Sequence, residues 1–481
     1  MSTHVSRRRH AAVLVGAAAL AAAALTTGGT SSAATRSAPL PAVHPYVPAH
    51  YTYVSAPDDP PKPGFSTVSR HFTPPGIQGS YNLPALFGQG YDGSGKTIAI
   101  VDSFGYDQAA ADLETFSQAY GLPMMCGMPD VTCQPGMPTF KTLTFGNHQV
   151  KAPPPNHSPG QEDSNAWSLE VALDIEYAHT TAPGANILLV TTPTAETLGV
   201  QGFPNFMNAE QYVVDHHLAD VVTQSFGAAE GSFGSKAALL NLRHAYVSGT
   251  AQGITFLASS GDDGSVGVKK APVGQGGSLL TTPQVGWPAS DPLVTAVGGT
   301  NLCTDPTNPT VIDNTDPPGV CDVNPPQHET AWNGSGGGFS RVFAKPSWQT
   351  IGGDARGVPD ISMDASCTTW VYVLDTAPGF GGYYGVCGTS AASPMFAGLV
   401  AITEQIAGQD VGLINDDLYT LQNTSQAGLY DVVTGDNVQA ETGIPGYTAG
   451  PGWDAVTGTG SPADAAAFVP ALAQLAAASA G

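Results

Sequence analysis

The sequence has few positively charged residues. Its 481 residues include 16 lysines and arginines against 39 aspartates and glutamates, which gives a formal net charge of −23. An acidic surface repels phosphate groups, so this charge argues against nucleic acid and anionic membranes as partners. The composition fits adaptation to acid, where carboxylates become neutral, as well as it fits ordinary acidic solubility.

Long apolar runs are missing beyond the N-terminus. No later segment approaches the ~20 consecutive apolar residues of a transmembrane helix, so we expect no membrane span. Residues 1–34 combine Arg7–Arg9, an Ala/Leu/Val run and the small residues Ser32–Ala34. This order is typical of a secretory signal peptide, with a membrane anchor as the alternative. We therefore expect a secreted, extracellular protein.

Zinc-binding patterns are also missing, because the six cysteines form no CxxC pair and no Cys/His cluster. In an exported chain, an even number of cysteines favours disulfide bonds. Six cysteines allow ~15 pairings. Their order along the chain favours three local bonds: Cys126–Cys133, Cys303–Cys321 and Cys367–Cys387.

The rest of the chain divides into two parts by composition. Residues 35–78 are rich in proline, which predicts an extended leader or a short pro-segment. Residues 79–481 contain no internal repeat or clear linker, so we expect one domain. Apolar strands alternate there with helices, one of them over 237–249, and this pattern predicts an α/β fold with a central, mostly parallel sheet. Residues 264–385 favour strands and long loops.

The motif Gly-Thr-Ser-x-x-x-Pro at residues 388–394 carries the strongest chemical signal. It follows a strand pattern and begins a helical pattern, so it places Ser390 at a helix N-terminus. Unpaired N–H groups there stabilise negative charge that develops on a substrate carbonyl. Ser390 is therefore predicted to be a nucleophile, with a plain helix cap as the alternative.

No sequence motif marks a histidine as the catalytic base. Residues 98–103 look like the region of the first catalytic aspartate in subtilases, with Asp102 in that place, yet no His-Gly-Thr-His string follows. His148 and His157 lie in Pro/Asn-rich loops, and His179 ends a predicted helix. The usual Ser-His-Asp triad cannot be assembled from these positions.

Glu170 and Asp174 offer different chemistry. Four residues apart on a predicted helix, they share one face, and the apolar residues around them predict that this helix is buried. Two close carboxylates can share a proton, which suits acid–base catalysis. A solvated acidic face is the alternative.

These motifs, in this order, resemble the sedolisin family of serine-carboxyl peptidases. The resemblance implies a subtilisin-like three-layer fold with helices on both sides of the sheet, and an acid-acting endopeptidase. It assigns the nucleophile to Ser390, the general base to Glu170 and its orientation to Asp174, and leaves Asp102 as a structural residue or a supporting one. We expect protein or peptide substrates and a monomer.

The turn at residues 259–264 resembles the turn that places an aspartic acid in the oxyanion hole of sedolisins. The resemblance assigns this role to Asp262, which must be neutral to donate a hydrogen bond. Asp263 follows directly, so the sequence leaves open which carboxylate points inward. An ordinary turn residue is the alternative.

Residues 431–437 and 450–458 resemble the single calcium site of the sedolisins. Carboxylate and backbone oxygens suit Ca²⁺, and glycine lets carbonyls turn inward. The resemblance implies one structural Ca²⁺ ion held by Asp431, Val432, Gly450, Gly452 and Asp454. A pair of Gly/Asp turns is the alternative.

Two rival functions remain open. One is a subtilase-like peptidase with a displaced histidine, and the other is a secreted binding protein whose catalytic site has decayed. The leader at residues 35–78 is much shorter than the folded pro-region that sedolisins usually carry, and it offers no obvious segment to block a cleft. This favours endopeptidase over exopeptidase action.

Overall fold

The computed structural model describes residues 50–66, 68–146, 161–195, 202–269, 278–315 and 319–479. The predicted signal peptide, the first part of the leader, and His148 and His157 lie outside the described residues. None of the helices in these ranges is long and apolar enough to cross a bilayer.

The described strands and helices follow one another along the chain. The strands are β1 (His50–Ser55), β2 (Gly64–Phe65), β3 (Arg70–Phe72), β4 (Thr97–Ser103), β5 (Phe140–Thr144), β6 (Asn186–Thr192), β7 (Val221–Gln224), β8 (Ala228–Ala229), β9 (Thr255–Ser259), β10 (Val268–Lys269), β11 (Ser278–Leu279), β12 (Gly286–Trp287), β13 (Thr295–Leu302), β14 (Thr304–Asp305), β15 (Asn308–Ile312), β16 (Glu329–Ala331), β17 (Gly338–Ala344), β18 (Ala355–Val358), β19 (Ile361–Asp364), β20 (Thr369–Asp375) and β21 (Gly382–Cys387). The helices are α1 (Pro74–Ser80), α2 (Pro84–Phe87), α3 (Ala109–Tyr120), α4 (Gln161–Thr181), α5 (Phe203–Asp215), α6 (Lys236–Leu240), α7 (His244–Thr250), α8 (Thr389–Ala407), α9 (Asn415–Thr424) and α10 (Ala465–Ser479).

A mostly parallel sheet forms the centre of the fold. Its strand order is β16-β13-β9-β7-β4-β6-β5, and β19 also pairs with β13. The pairs are parallel except that of β13 with β16. The predicted α/β fold is therefore confirmed.

Three neighbouring strands of this sheet are in register near their carboxyl ends. Val101 of β4 lies opposite Gln224 of β7, and Gln224 lies opposite Ala258 of β9. Asp102, in the last residues of β4, and Ser225, just after β7, therefore lie at the same carboxyl edge. In open α/β sheets, ligands bind beyond this edge.

Helices α4 and α8 pack against each other. Residues 389–404 of α8 are all buried. The helices approach closely at Gly398, where an added Cβ would overlap Oγ1 of Thr181. Glycine at this position therefore fixes the spacing between the helices.

The second half of the predicted leader contributes strands to a five-stranded sheet of order β1-β21-β20-β3-β2. Strand β1 pairs antiparallel with β21, with His50 opposite Cys387. The predicted boundary between leader and domain, at residues 78 and 79, falls inside α1.

The predicted single helix over residues 237–249 is wrong, because the chain forms α6 and α7 with a break between them. Arg243 lies in the break, and its guanidinium donates two hydrogen bonds to the carboxylate of Asp291. This long-range ion pair outweighs the local helical pattern.

Three disulfide bonds join Cys126 to Cys133, Cys303 to Cys321 and Cys367 to Cys387. All three predicted pairs are confirmed. Each closes a short loop of the chain.

Gly398→Ala tests the close approach of α4 and α8. The extra methyl group has no room beside Thr181, so we expect a loss of about 1–3 kcal/mol in the free energy of unfolding and a lower thermal midpoint. Calorimetry would measure the midpoint. Gly352→Ala is the control, because a Cβ there meets open space; equal midpoints for the two variants would contradict the prediction.

Glu210 of α5 is a buried acid without a cation. Its side chain is fully buried, and neither carboxylate oxygen has a hydrogen-bond partner among the described residues. Burial raises the pKa of Glu210 well above its ordinary value of 4.5. The folded state therefore keeps this proton to higher pH than the unfolded state does.

The sign of the pH effect follows from that raised pKa. Glu210 contributes its full stability below pH 4.5, and the contribution declines as pH rises, by about 1.4 kcal/mol per pH unit between the two pKa values. Glu210→Gln should therefore match the wild type at pH ~4 and exceed its thermal midpoint at pH ~7. Glu441→Gln, at an exposed position, is the control. The same difference at both pH values would overturn the explanation.

Candidate functional site

Ser390 lies in the first turn of α8, directly after β21. Gly388 links the two elements with a φ of 143°, a conformation that side chains with a Cβ rarely adopt. At the start of this helix, N–H of Ala391 donates to the backbone oxygen of Gly388 at 2.9 Å. Ser390 is 6% exposed, so its hydroxyl is largely buried at the helix N-terminus, where positive potential favours an anion.

Asp262 is tied to the residue before Ser390. Its Oδ1 accepts a hydrogen bond from N–H of Thr389 at 2.7 Å and another from Oγ1 of Thr389 at 2.8 Å. The same hydroxyl accepts a hydrogen bond from N–H of Gly261. Of the two adjacent carboxyls in this turn, it is Asp262 that contacts the start of α8.

Asp263 lies beside this contact as a second acid. Burial, and then the charge of Asp262, raise the pKa of Asp263 to about 7. With this pKa, Asp263 keeps its proton through the acidic range up to about pH 7.

Glu170 and Asp174 are both buried on α4. Burial is the main cause that raises the pKa of Asp174 well above its ordinary value, and the charges of Asp102 and Glu170 raise it further. A hydrogen bond from Oγ of Ser225 to Oδ1 of Asp174, at 3.1 Å, acts in the opposite direction. The structure thus groups Asp102 with the predicted Glu170–Asp174 pair.

The sequence alone left the role of Asp102 open. In the structure its side chain is fully buried, and its charge acts on Asp174. The available signal was its place at the carboxyl end of β4. Three acids thus lie together at this edge, and the charges of Asp102 and Glu170 make Asp174 harder to ionise.

The described histidines do not supply a base for Ser390. Nε2 of His179 lies 2.8 Å from the backbone oxygen of Pro123, and burial lowers the pKa of His179 to about 4. A Ser–His contact does occur between Ser69 and His71, on and beside β3 in the other sheet. Among the described residues no histidine hydrogen-bonds to Ser390.

The predicted calcium residues come together in two loops. N–H of Gly452 donates to Oδ2 of Asp431 at 2.9 Å, and N–H of Gly450 donates to Oδ2 of Asp454 at 3.1 Å. Oδ1 of Asp431 is buried and has no partner among the described residues. Val432 is fully buried. A buried carboxylate oxygen without a donor fits a cation at this place.

A different acidic group lies near the amino end of the central sheet. Oxygens of Asp220, Glu404 and Asp410 lie within 4.8 Å of one another, the kind of cluster that can hold a metal ion. Nζ of Lys96 lies 2.6 Å from Asp410, 3.3 Å from Asp220 and 3.6 Å from Glu404. The lysine already supplies a cation to this cluster.

Comparison with known proteins shows the family of this chain. The model of the Subtilase family (Peptidase_S8) matches residues 156–435, well over half of the chain. Kumamolisin from Bacillus sp. is 31% identical over 82% of this chain, and sedolisin from Pseudomonas sp. is 29% identical over 76%. Human tripeptidyl-peptidase 1 is 28% identical over 63%.

These relatives are longer proteins. The chain covers 63% of kumamolisin, 56% of sedolisin and 52% of human tripeptidyl-peptidase 1, so it spans a little over half of the length of the curated relatives it matches. The solved structure of Pseudomonas sedolisin, a serine-carboxyl proteinase in complex with pseudo-iodotyrostatin, is similar with a TM-score of 0.60 and 27% identity. That similarity covers 82% of this chain and 95% of the solved one. The chain belongs to the subtilase family and, within it, to the sedolisins.

Proposed function

We propose that this protein is a secreted serine-type endopeptidase that hydrolyses peptide bonds at acidic pH through an acyl-enzyme on Ser390. The observation that carries the proposal is the pair of hydrogen bonds from Thr389 to Asp262, which ties a carboxylic acid to the start of the helix that bears Ser390. Membership of the sedolisins supports the same reaction class.

In the proposed reaction Glu170 is the base. It takes the proton of the Ser390 hydroxyl as the oxygen forms a bond to the substrate carbonyl carbon. Glu170 then gives this proton to the leaving amine when the peptide bond breaks, and water repeats the steps to release the acid. Asp174 orients Glu170 and shares its negative charge, with Asp102 behind it as a supporting carboxyl.

Asp262 stabilises the oxyanion in this proposal. Because Oδ1 accepts two hydrogen bonds from Thr389, a proton on Asp262 belongs on Oδ2. A neutral Asp262 can then donate to the oxyanion together with N–H of Ser390, whereas an ionised one would repel it. The acidic optimum follows, because Asp262 must be neutral while the Glu170–Asp174 group stays partly ionised.

The rate of peptide hydrolysis against pH, from about 2 to about 9, tests this mechanism. We expect an acidic optimum for the wild type and losses of about three orders of magnitude or more for Ser390→Ala and Glu170→Gln, because each removes a group that acts in both half-reactions. Ser393→Ala is the matched control, since Ser393 lies on the same helix and bonds to Thr223. It should keep the rate.

Other results would favour the rival functions. A neutral or alkaline optimum would favour a subtilase-like enzyme with a displaced histidine, to be located by replacing His148, His157 and His179 in turn. No hydrolysis at any pH would favour a secreted binding protein.

We also propose that one Ca²⁺ ion binds between the two C-terminal loops. Carboxylates of Asp431 and Asp454 and carbonyls of Val432, Gly450 and Gly452 would hold it, and water would complete the shell. The ion would supply positive charge that joins the loops and would take no part in the chemistry. The buried Oδ1 of Asp431 is the observation in its favour.

Removal of the ion should lower the thermal midpoint. Calcium at about 100 times its Kd would add about 2.7 kcal/mol to the free energy of unfolding, so a chelator should remove that amount from the wild type. Asp431→Asn should abolish the response to calcium, and Asp436→Asn, at an exposed position on the same loop, should keep it. An equal response of Asp431→Asn and the wild type would rule out this site.

The proposed location is extracellular, with protein or peptide substrates and a monomeric enzyme. Three disulfide bonds support an oxidising compartment.

A further inference from the structure

The three residues before Ser390 are each held by a different contact. Cys387 forms a disulfide with Cys367. N–H of Gly388 donates to the backbone oxygen of Ala365 at 2.7 Å. Thr389 donates to Asp262, as described above.

The two neighbours of β21 do not reach equally far along it. Its pairing with β20 runs from Gly382 opposite Asp375 to Val386 opposite Val371, and Cys387 lies one residue beyond this ladder. On the other side Cys387 lies opposite His50, the first residue of β1. The disulfide therefore begins where the pairing with β20 stops.

The partner of this disulfide belongs to a segment fixed to the central sheet. Ala365 follows β19, which pairs with β13, and its N–H donates to the backbone oxygen of Thr300 in β13. Cys367 lies two residues farther on. The bond thus joins the strand that leads to Ser390 to the connection between β19 of the central sheet and β20.

The turn itself offers little stiffness of its own. Gly388 has no side chain to restrict it, and its φ of 143° lies in a region that residues with a Cβ rarely adopt. External contacts must therefore set the direction in which α8 begins.

We infer that the Cys367–Cys387 disulfide is a positioning element for the nucleophile, an inference that rests on the proposed function of Ser390. It holds the last residue of β21 so that the Gly388 turn starts from a fixed point. A displacement of about 1 Å at the reacting atom can cost about 100-fold in rate, so loss of this bond should lower kcat far more than it changes KM.

The test compares two double variants. Cys367→Ala/Cys387→Ala removes the bond beside Ser390, and Cys126→Ala/Cys133→Ala removes a bond of similar kind in the loop between α3 and β5. We expect kcat for a peptide at acidic pH to fall about 10- to 100-fold in the first variant, with KM changed less than about twofold. The second variant should match the wild type in both constants. Equal kcat values for the two variants would overturn the inference.

If the variant Cys367→Ala/Cys387→Ala does not fold, a second measurement tests the same inference on the wild type. Partial reduction of the wild type, followed by alkylation and mass spectrometry, identifies which bridge has opened in each fraction. Loss of kcat should follow opening of Cys367–Cys387, and activity should return on reoxidation. Loss that follows another bridge, or no loss when this one opens, would refute the inference.

Hydrogen exchange separates this inference from the proposed function. Amides of Gly388 and Thr389 should exchange faster in Cys367→Ala/Cys387→Ala than in Cys126→Ala/Cys133→Ala, whether or not peptides are hydrolysed. A wild type without peptidase activity would refute the proposed function alone, whereas unchanged exchange at these two amides would refute the positioning role.

Discussion

The contact between Thr389 and Asp262 joins two parts of the fold that are far apart in sequence. Asp262 belongs to the turn after β9 of the central sheet, and Thr389 begins the buried helix α8. Backbone and side chain of one residue bond to a single carboxyl oxygen, so the contact fixes orientation as well as distance. The contact therefore fixes the position of the Asp262 carboxyl group relative to the backbone that carries Ser390.

Several buried acids have no ion-pair partner among the described residues. Glu210, Glu176, Asp174 and Asp364 are all at least 99% buried, and burial is the main cause of the raised pKa of each. A neutral carboxyl costs far less to bury than an ionised one. These groups therefore bind their protons more tightly in the folded state than in the unfolded state.

Local signals predicted much of the fold. The helical pattern predicted to begin at the Gly-Thr-Ser motif is α8, which starts at Thr389 directly after Gly388. The disulfide pairs followed from short separations along the chain.

Features that depend on distant residues could not be predicted in the same way. The break at Arg243 depends on Asp291, 48 residues away. Asp102 joins the acidic group because the register of β4 and β7 sets Val101 opposite Gln224, and a strand pattern does not fix its neighbours or its register.

Strand β1 gives the leader segment a structural part to play. It pairs with one side of β21, the strand that leads to Ser390. The residues of β1 belong to none of the predicted catalytic motifs. A fragment that begins at residue 79 would lack this cover and would expose the backbone N–H and C=O groups of β21 as a free edge. Such an edge can pair with a strand of another molecule. By occupying this edge, β1 prevents such pairing between copies of the protein.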